Sequence, residues 1–137
     1  MGIRENLNIV NRLLVEVWAQ GNTSIIYELL SPDYIYHGPT GEEINGPEAF
    51  ENMVKSIRSA IPDRIMTVEN YIGEGDEIAI QFSSRGTFLG SLRDIKPTGK
   101  SYVSSFAIFY RFNFGKIIEE VEYYRHPTFE EQVGIKP

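Results

Sequence analysis

Cysteine is absent from this chain. That excludes a disulfide framework, a thiol nucleophile and any Cys-ligated metal, and it makes a reducing cytoplasm the expected compartment. Histidine is scarce, with only His37 and His126. No two histidines stand at helical spacing and no carboxylates cluster at ligand spacing, so no metal is expected. Positive charge is also short: 13 Lys and Arg against 19 Asp and Glu give a net charge of -6. Such a balance argues against nucleic acid and anionic membrane surfaces as partners. No apolar run approaches the length of a membrane span, and "MGIRENLNIVNRLL" has polar residues where a signal peptide needs an apolar stretch. "RGTFLG" and "PTGK" lack the strand, glycine loop and helix context of a phosphate cradle.

What is present is a core. The 137 residues are 42% hydrophobic and 12% aromatic, enough for one domain over 1–137. Leu7, Val10, Leu14, Val17 and Trp18 recur at helical spacing and predict a first amphipathic helix ending near Gly21. Asn22 or Thr23 then caps a short second helix that buries Ile25, Ile26, Leu29 and Leu30 until Pro32 stops it. "YIYH" (34–37) reads as a short strand. Pro47 starts a third helix with Phe50, Met53, Val54, Ile57 and Ala60 on one face.

After Pro62 the period switches to alternation, and "RIMTVENYIG", "EIAIQFSSRGTF", "SYVSSFAIFYRF" and "KIIEEVEYYR" predict four strands. The tight turns "GEGDE" and "NFGK" make the sheet largely antiparallel. Strands this long are expected to curl, with Gly86 as a bulge or bend. The fold class is therefore α+β, with three N-terminal helices on the concave face of a curved sheet.

In the last strand Glu120, Glu122 and Tyr124 share one side, and Val121, Tyr123 and Arg125 the other. Two carboxylates want water, so the glutamate side is expected to face out and Arg125 in, unless a bulge intervenes. An inward arginine at a strand end needs a partner, either a carboxylate of the protein, a solvent path or an anionic ligand group.

"VWAQGNTSIIYELLSPDYIYHGP", "INGPEAFENMV", "AIPDRIMTVENYIGEGDEIAIQFSSRGTFLG", "PTGK" and "GKIIEEVEYYRHPTFEEQVGI", in this order and spacing, resemble the SnoaL-like polyketide cyclase family, within the cone-shaped nuclear-transport-factor-2-like fold. The resemblance implies a pocket between helices and sheet, often a homodimer through the outer sheet face, and ring closure by intramolecular aldol chemistry without metal or organic cofactor. It also implies an aspartate acid/base in a pattern resembling "G-K-I-x-E-x-W-x-x-x-D". Laid on from Gly115, Lys116 and Ile117, the tryptophan place holds Val121 and the aspartate place holds Arg125, which stays protonated and cannot act as a base.

The remaining candidates follow from residue chemistry. His37, at a strand end before "GPTG", suits proton transfer near neutral pH and is expected at the pocket mouth; backbone bonding is the bland alternative. His126 ranks lower, and Asp33 and Asp63 read as turn residues. Trp18, Tyr34, Tyr36, Tyr71, Phe82, Tyr102, Phe106, Val121 and Tyr123 are candidates to line a substrate pocket, although core packing is the better reading of any single one. Two functions remain open. One is a cofactor-free enzyme that cyclises or isomerises a carbonyl-bearing, polyketide-like molecule, with His37 and Arg125 as catalytic residues. The other is non-catalytic binding or sensing of a small, anionic, largely apolar ligand.

Overall fold

The computed structural model describes residues 2–135. Helix α1 (Ile3–Arg12) runs on as a π-helical segment over Leu13–Ala19, and α2 (Ile26–Leu29) is short. Strands β1 (Leu30–His37) and β2 (Glu43–Asn45) precede α3 (Pro47–Ala60). Then come β3 (Ile65–Glu74), β4 (Glu77–Thr87), β5 (Ser101–Asn113), β6 (Lys116–Arg125) and a closing helix α4 (Phe129–Val133).

The six strands form one curved sheet in the order β2-β1-β6-β5-β4-β3. All neighbours are antiparallel except β1 and β6. The change of period after Pro62 thus marks the switch from helices to strands, as the alternating runs predict. Strand β2 has no counterpart in the sequence reading. It is only three residues long, too short for a period to show.

The inner face of the sheet carries Tyr34, Ile78, Ile80, Phe82, Tyr110 and Ile117, which pack against Val10, Leu14 and Val17 of the first helical stretch and Phe50 and Val54 of α3. The second helix is shorter than predicted: Leu30 already belongs to β1, and Pro32 lies inside that strand. Proline is tolerated there because the β1–β6 pairing is irregular between Leu30 and Ile35. Asn22 makes no side-chain cap, and its carboxamide oxygen accepts from Ser24 Oγ instead.

Gly86 is neither bulge nor bend, because β4 and β5 stay in register through Gly86↔Tyr102. A Cβ there would lie 2.5 Å from Ile61 Cγ2, so glycine is required by the close approach of the turn after α3. The bulges lie elsewhere, in β3 between Val68 and Asn70 and in β6 at Ile118. The second decides the site. Phe112 pairs with Ile117, but Arg111 pairs with Glu119, leaving Ile118 as an extra residue. Ile117 is inward, and after the bulge the inward residues are Glu120, Glu122 and Tyr124. The expected orientation of β6 is therefore reversed: Val121, Tyr123 and Arg125 face outward.

Helix α4 closes the far end. Thr128 and Glu131 form a capping box, and Gly134 takes the left-handed conformation at φ 85°. Gln132 locks the helix to the edge of β5, accepting from Val103 N and donating to Val103 O, both at 2.8 Å. In "PTGK", Thr98 Oγ1 donates to Val133 O at 2.7 Å, tying the long β4–β5 connection to the same helix.

Candidate functional site

Curvature of the sheet leaves a cavity of about 510 Å³ between its inner face and the helices. Its wall begins with the π-helical segment, where Leu14 and Trp18, four residues apart, share the face toward the cavity. Met53 and Ile57 of α3, Phe82 of β4 and Phe106 of β5 extend the apolar surface. The last two rings stack with centroids 5.3 Å apart.

Into this apolar wall β6 projects Glu120 and Glu122, separated by one residue and so on the same face. The parallel neighbour β1 supplies Tyr34 and Tyr36 with the same spacing, and the two pairs meet. The Tyr34 hydroxyl donates to Glu120 Oε2, and the Tyr36 hydroxyl donates to Glu122 Oε2 at 3.1 Å. Tyr110, directly opposite Glu120 in the β5–β6 register, adds a second hydroxyl to that carboxyl. Glu120 is 2% exposed, whereas Glu122 is partly accessible from the cavity.

Burial dominates the electrostatics of the pair. It pushes the Glu120 carboxyl from 4.5 up to about 8, with the tyrosine hydrogen bonds opposing and the neighbouring Glu122 charge reinforcing the rise. Burial likewise pushes Glu122 from 4.5 to about 7, moderated by the Tyr36 hydrogen bond and the Arg64 charge. The two carboxyls interact, so they titrate as a pair with apparent values around neutrality. Tyr34 and Tyr110 are raised well above the usual phenol range, first by burial and then by the Glu120 charge, so they stay protonated donors.

Arg64, the residue before β3, stands on the same cavity wall. Its guanidinium lies 4.9 Å over the Trp18 ring, and Nε donates to Ser84 Oγ at 2.9 Å. Ser84, itself buried, shares a 2.9 Å hydrogen bond with the Tyr102 hydroxyl. Pro39, Thr40, Glu42, Arg93 and Glu130 form the rim.

Of the residues singled out from sequence, Trp18, Tyr36, Phe82, Tyr102 and Phe106 are brought together around this cavity. Tyr34 is fully buried behind it, bonded to Glu120. Tyr71 is exposed on the edge strand β3. Val121 and Tyr123 lie on the outer face, Tyr123 being 57% exposed.

The expectation of an inward Arg125 is overturned, because the Ile118 bulge turns it out and it is exposed, away from the cavity. His37 is also outside. Alternation along β1 gives the inner face to Tyr34 and Tyr36, so His37 points out. Its Nε2 meets Glu119 Oε2 at 3.0 Å, and Nδ1 lies 3.9 Å from Glu43 Oε1. His126 pairs with Glu131 at 2.8 Å on the surface. Asp63 accepts from Thr87 N and Oγ1 at 2.9 and 2.8 Å, a strand-joining role.

Glu120, Glu122 and Arg64 were absent from the sequence candidates. For the glutamates the only signal was Ile117, an apolar residue whose inward side fixes the parity if the bulge is known. Arg64 precedes its strand and belongs to no periodic pattern.

The family model of the SnoaL-like polyketide cyclases matches residues 8–133. The chain belongs to this family. No curated protein matches it in sequence. Among solved structures, a candidate SnoaL-like polyketide cyclase from a Jannaschia species superposes with a TM-score of 0.87 at 20% identity, covering 98% of this chain and 94% of that one. IdmH, a candidate polyketide cyclase from Streptomyces antibioticus, gives 0.78 at 22% identity over 95% and 99% of the two chains. AclR, a candidate hydroxylase from Streptomyces galilaeus, gives 0.82 at 20% identity over 99% and 85%. At these identities the SnoaL-like members share the cone fold, and the reaction has to be argued from the cavity.

Proposed function

We propose that this SnoaL-like chain is a cofactor-free enzyme of proton transfer, cyclising or isomerising a carbonyl-bearing, largely apolar molecule, with Glu122 as acid/base. The observation that carries this reading is a carboxyl raised to about 7 at the wall of an apolar cavity. A group half-ionised near neutrality suits both removal and return of a proton. In the carboxylate form Glu122 takes a proton from carbon next to a carbonyl, and the C–H electron pair becomes an enolate. The enolate then adds to a second carbonyl to close a ring, or is reprotonated at another carbon. Either way the proton returns from Glu122, and no electrons leave the substrate.

Tyr36, which donates to Glu122, orients the carboxyl, and once Glu122 has taken the substrate proton the hydroxyl hydrogen is free to turn to the nascent oxyanion. Trp18, Phe82, Tyr102 and Phe106 are the proposed substrate-contacting surface, its stacked phenylalanines matching a flat ring system. Burial keeps Glu120 protonated beneath, against the pull of the Tyr34 and Tyr110 hydroxyls, which fix its position. That keeps a second negative charge away from Glu122 at neutral pH, so Glu120 is a positioning residue rather than the base.

The outer sheet face carries exposed Val103, Phe109 and Tyr123, the last two in edge contact at 6.0 Å. A second copy of the chain is the proposed occupant of that face. The Cys-free composition suits a cytoplasmic setting.

The test uses exchange in heavy water. Deuterium uptake next to the carbonyl of β-tetralone and benzoylacetone, followed by proton NMR, is expected to accelerate with the wild type and fall about 100-fold or more toward background with Glu122→Gln. Equal exchange by wild type and variant, or none above background, overturns the reading.

A further inference from the structure

The inference concerns Arg64 and rests on the proposed use of the same cavity. Its guanidinium is a cation on the cavity wall, beside the apolar surface of Trp18, Phe82 and Phe106. Among the described residues no carboxylate lies within ion-pair distance of it. Nε is satisfied by Ser84, whereas Nη1 is sealed from solvent without an acceptor. A buried donor of a charged group that makes no hydrogen bond costs folding free energy. The fold nevertheless invests a buried network in holding it. Tyr102 bonds Ser84, Ser84 bonds Arg64, and Trp18 supports the guanidinium plane from one side. The side chain is therefore fixed in direction and, among the described residues, has no carboxylate at ion-pair distance. Glu122, whose field reaches Arg64, is itself about half protonated near neutrality, so it compensates the charge only in part.

We infer that Arg64 is an anion clamp and that the molecule bound in this cavity is an acid, a flat apolar body bearing a carboxylate that docks on the guanidinium. The geometry sorts the ligand. Its ring system lies against Phe82 and Phe106, and its carboxylate sits at the Arg64 wall. Its reactive carbonyl is left toward the Glu120 and Glu122 floor. Nε is held by Ser84 and Nη1 is sealed, so the carboxylate docks on the edge of the guanidinium that lines the cavity. Arg93 at the rim adds a second positive charge on the approach, against Glu42 and Glu130 on the same rim. The carboxylate is thus selected at Arg64 rather than at the mouth.

Isothermal titration calorimetry with cinnamate, β-naphthoate and their primary amides tests this without turnover. The wild type is expected to bind each acid about ten- to a hundredfold more tightly than its amide. Arg64→Gln is expected to erase the difference, and Arg64→Lys, which keeps the charge, to retain part of it. Near-UV circular dichroism of the variants, through the lone Trp18, reports whether the cavity is intact. Equal binding of acids and amides by the wild type overturns the inference, as does no measurable binding of any acid or an undiminished preference in Arg64→Gln. Loss of deuterium exchange in Glu122→Gln together with equal binding of acid and amide would defeat the clamp alone and leave the proton-transfer reading standing.

Discussion

Replacing Glu120 by Gln isolates the energetic consequence of burying this carboxyl. In the folded protein its pKa is raised from 4.5 to about 8, chiefly by burial. Between those two values the folded state still holds the proton and the unfolded chain has released it. Stability contributed by this group is therefore fully present below about pH 4.5 and is lost as pH rises toward about 8. At about 1.4 kcal/mol per pK unit the full loss is about 5 kcal/mol, of which about 4 kcal/mol falls between about pH 5 and about pH 9. Water in the adjoining cavity screens the ionised form, so about 2 kcal/mol is the smaller figure that still counts as support.

Glutamine keeps an oxygen for the Tyr34 and Tyr110 hydroxyls and cannot ionise. Urea unfolding from about pH 5 to about pH 9 should show the wild type falling steeply. Glu120→Gln should follow a shallower course, so that it gains on the wild type by about 2 to 4 kcal/mol across the range. The residual slope belongs to Glu122, raised to about 7. Parallel profiles for the two proteins would show that Glu120 is not held protonated, and the argument from burial would fail.

Two further outcomes concern the outer face. Arg125→Leu and His37→Ala alter exposed or surface-paired side chains, and each should change stability by less than about 1 kcal/mol while leaving deuterium exchange and acid binding unchanged; loss of either property would return that residue to the site. Light scattering at micromolar concentration should give twice the chain mass of 15.6 kDa, and Phe109→Asp should halve it; a wild type that scatters as a monomer contradicts the proposed pairing through Phe109 and Tyr123.

Much of the architecture was legible because its signals are local. The stripe from Leu7 to Trp18, Pro47 before α3, the turns at 73–77 and 113–116 and the alternating runs all act within a few residues. The cavity aromatics were legible only in part: Trp18 lies on the predicted helical stripe, whereas Phe82, Tyr102 and Phe106 were candidates by residue type alone, alongside Tyr71, Val121 and Tyr123, which lie outside the cavity. The polar site was not legible. Placing Glu120 and Glu122 requires the extra residue at Ile118, which no composition or period reports, and a one-residue slip exchanges the two faces of β6.

The rule that paired carboxylates seek water then pointed the wrong way. Here three tyrosines from β1 and β5 supply the hydrogen bonds that water would have given, and partners so distant in sequence cannot be assigned from one strand. His37 failed by the same parity. Its place at a strand end was readable, but its face depended on Tyr34 and Tyr36 taking the interior.

The central claim, that Glu122 is a carboxyl titrating near neutrality in the cavity wall, can be measured without any substrate. Protein labelled with carbon-13 at the glutamate side-chain carboxyls, titrated by NMR beside Glu120→Gln and Glu122→Gln for assignment, should show two resonances with midpoints near 8 and near 7, the latter missing from Glu122→Gln. If every glutamate carboxyl titrates in the ordinary range of about 4 to 5, Glu122 is a plain surface-like acid and the account of the site is contradicted.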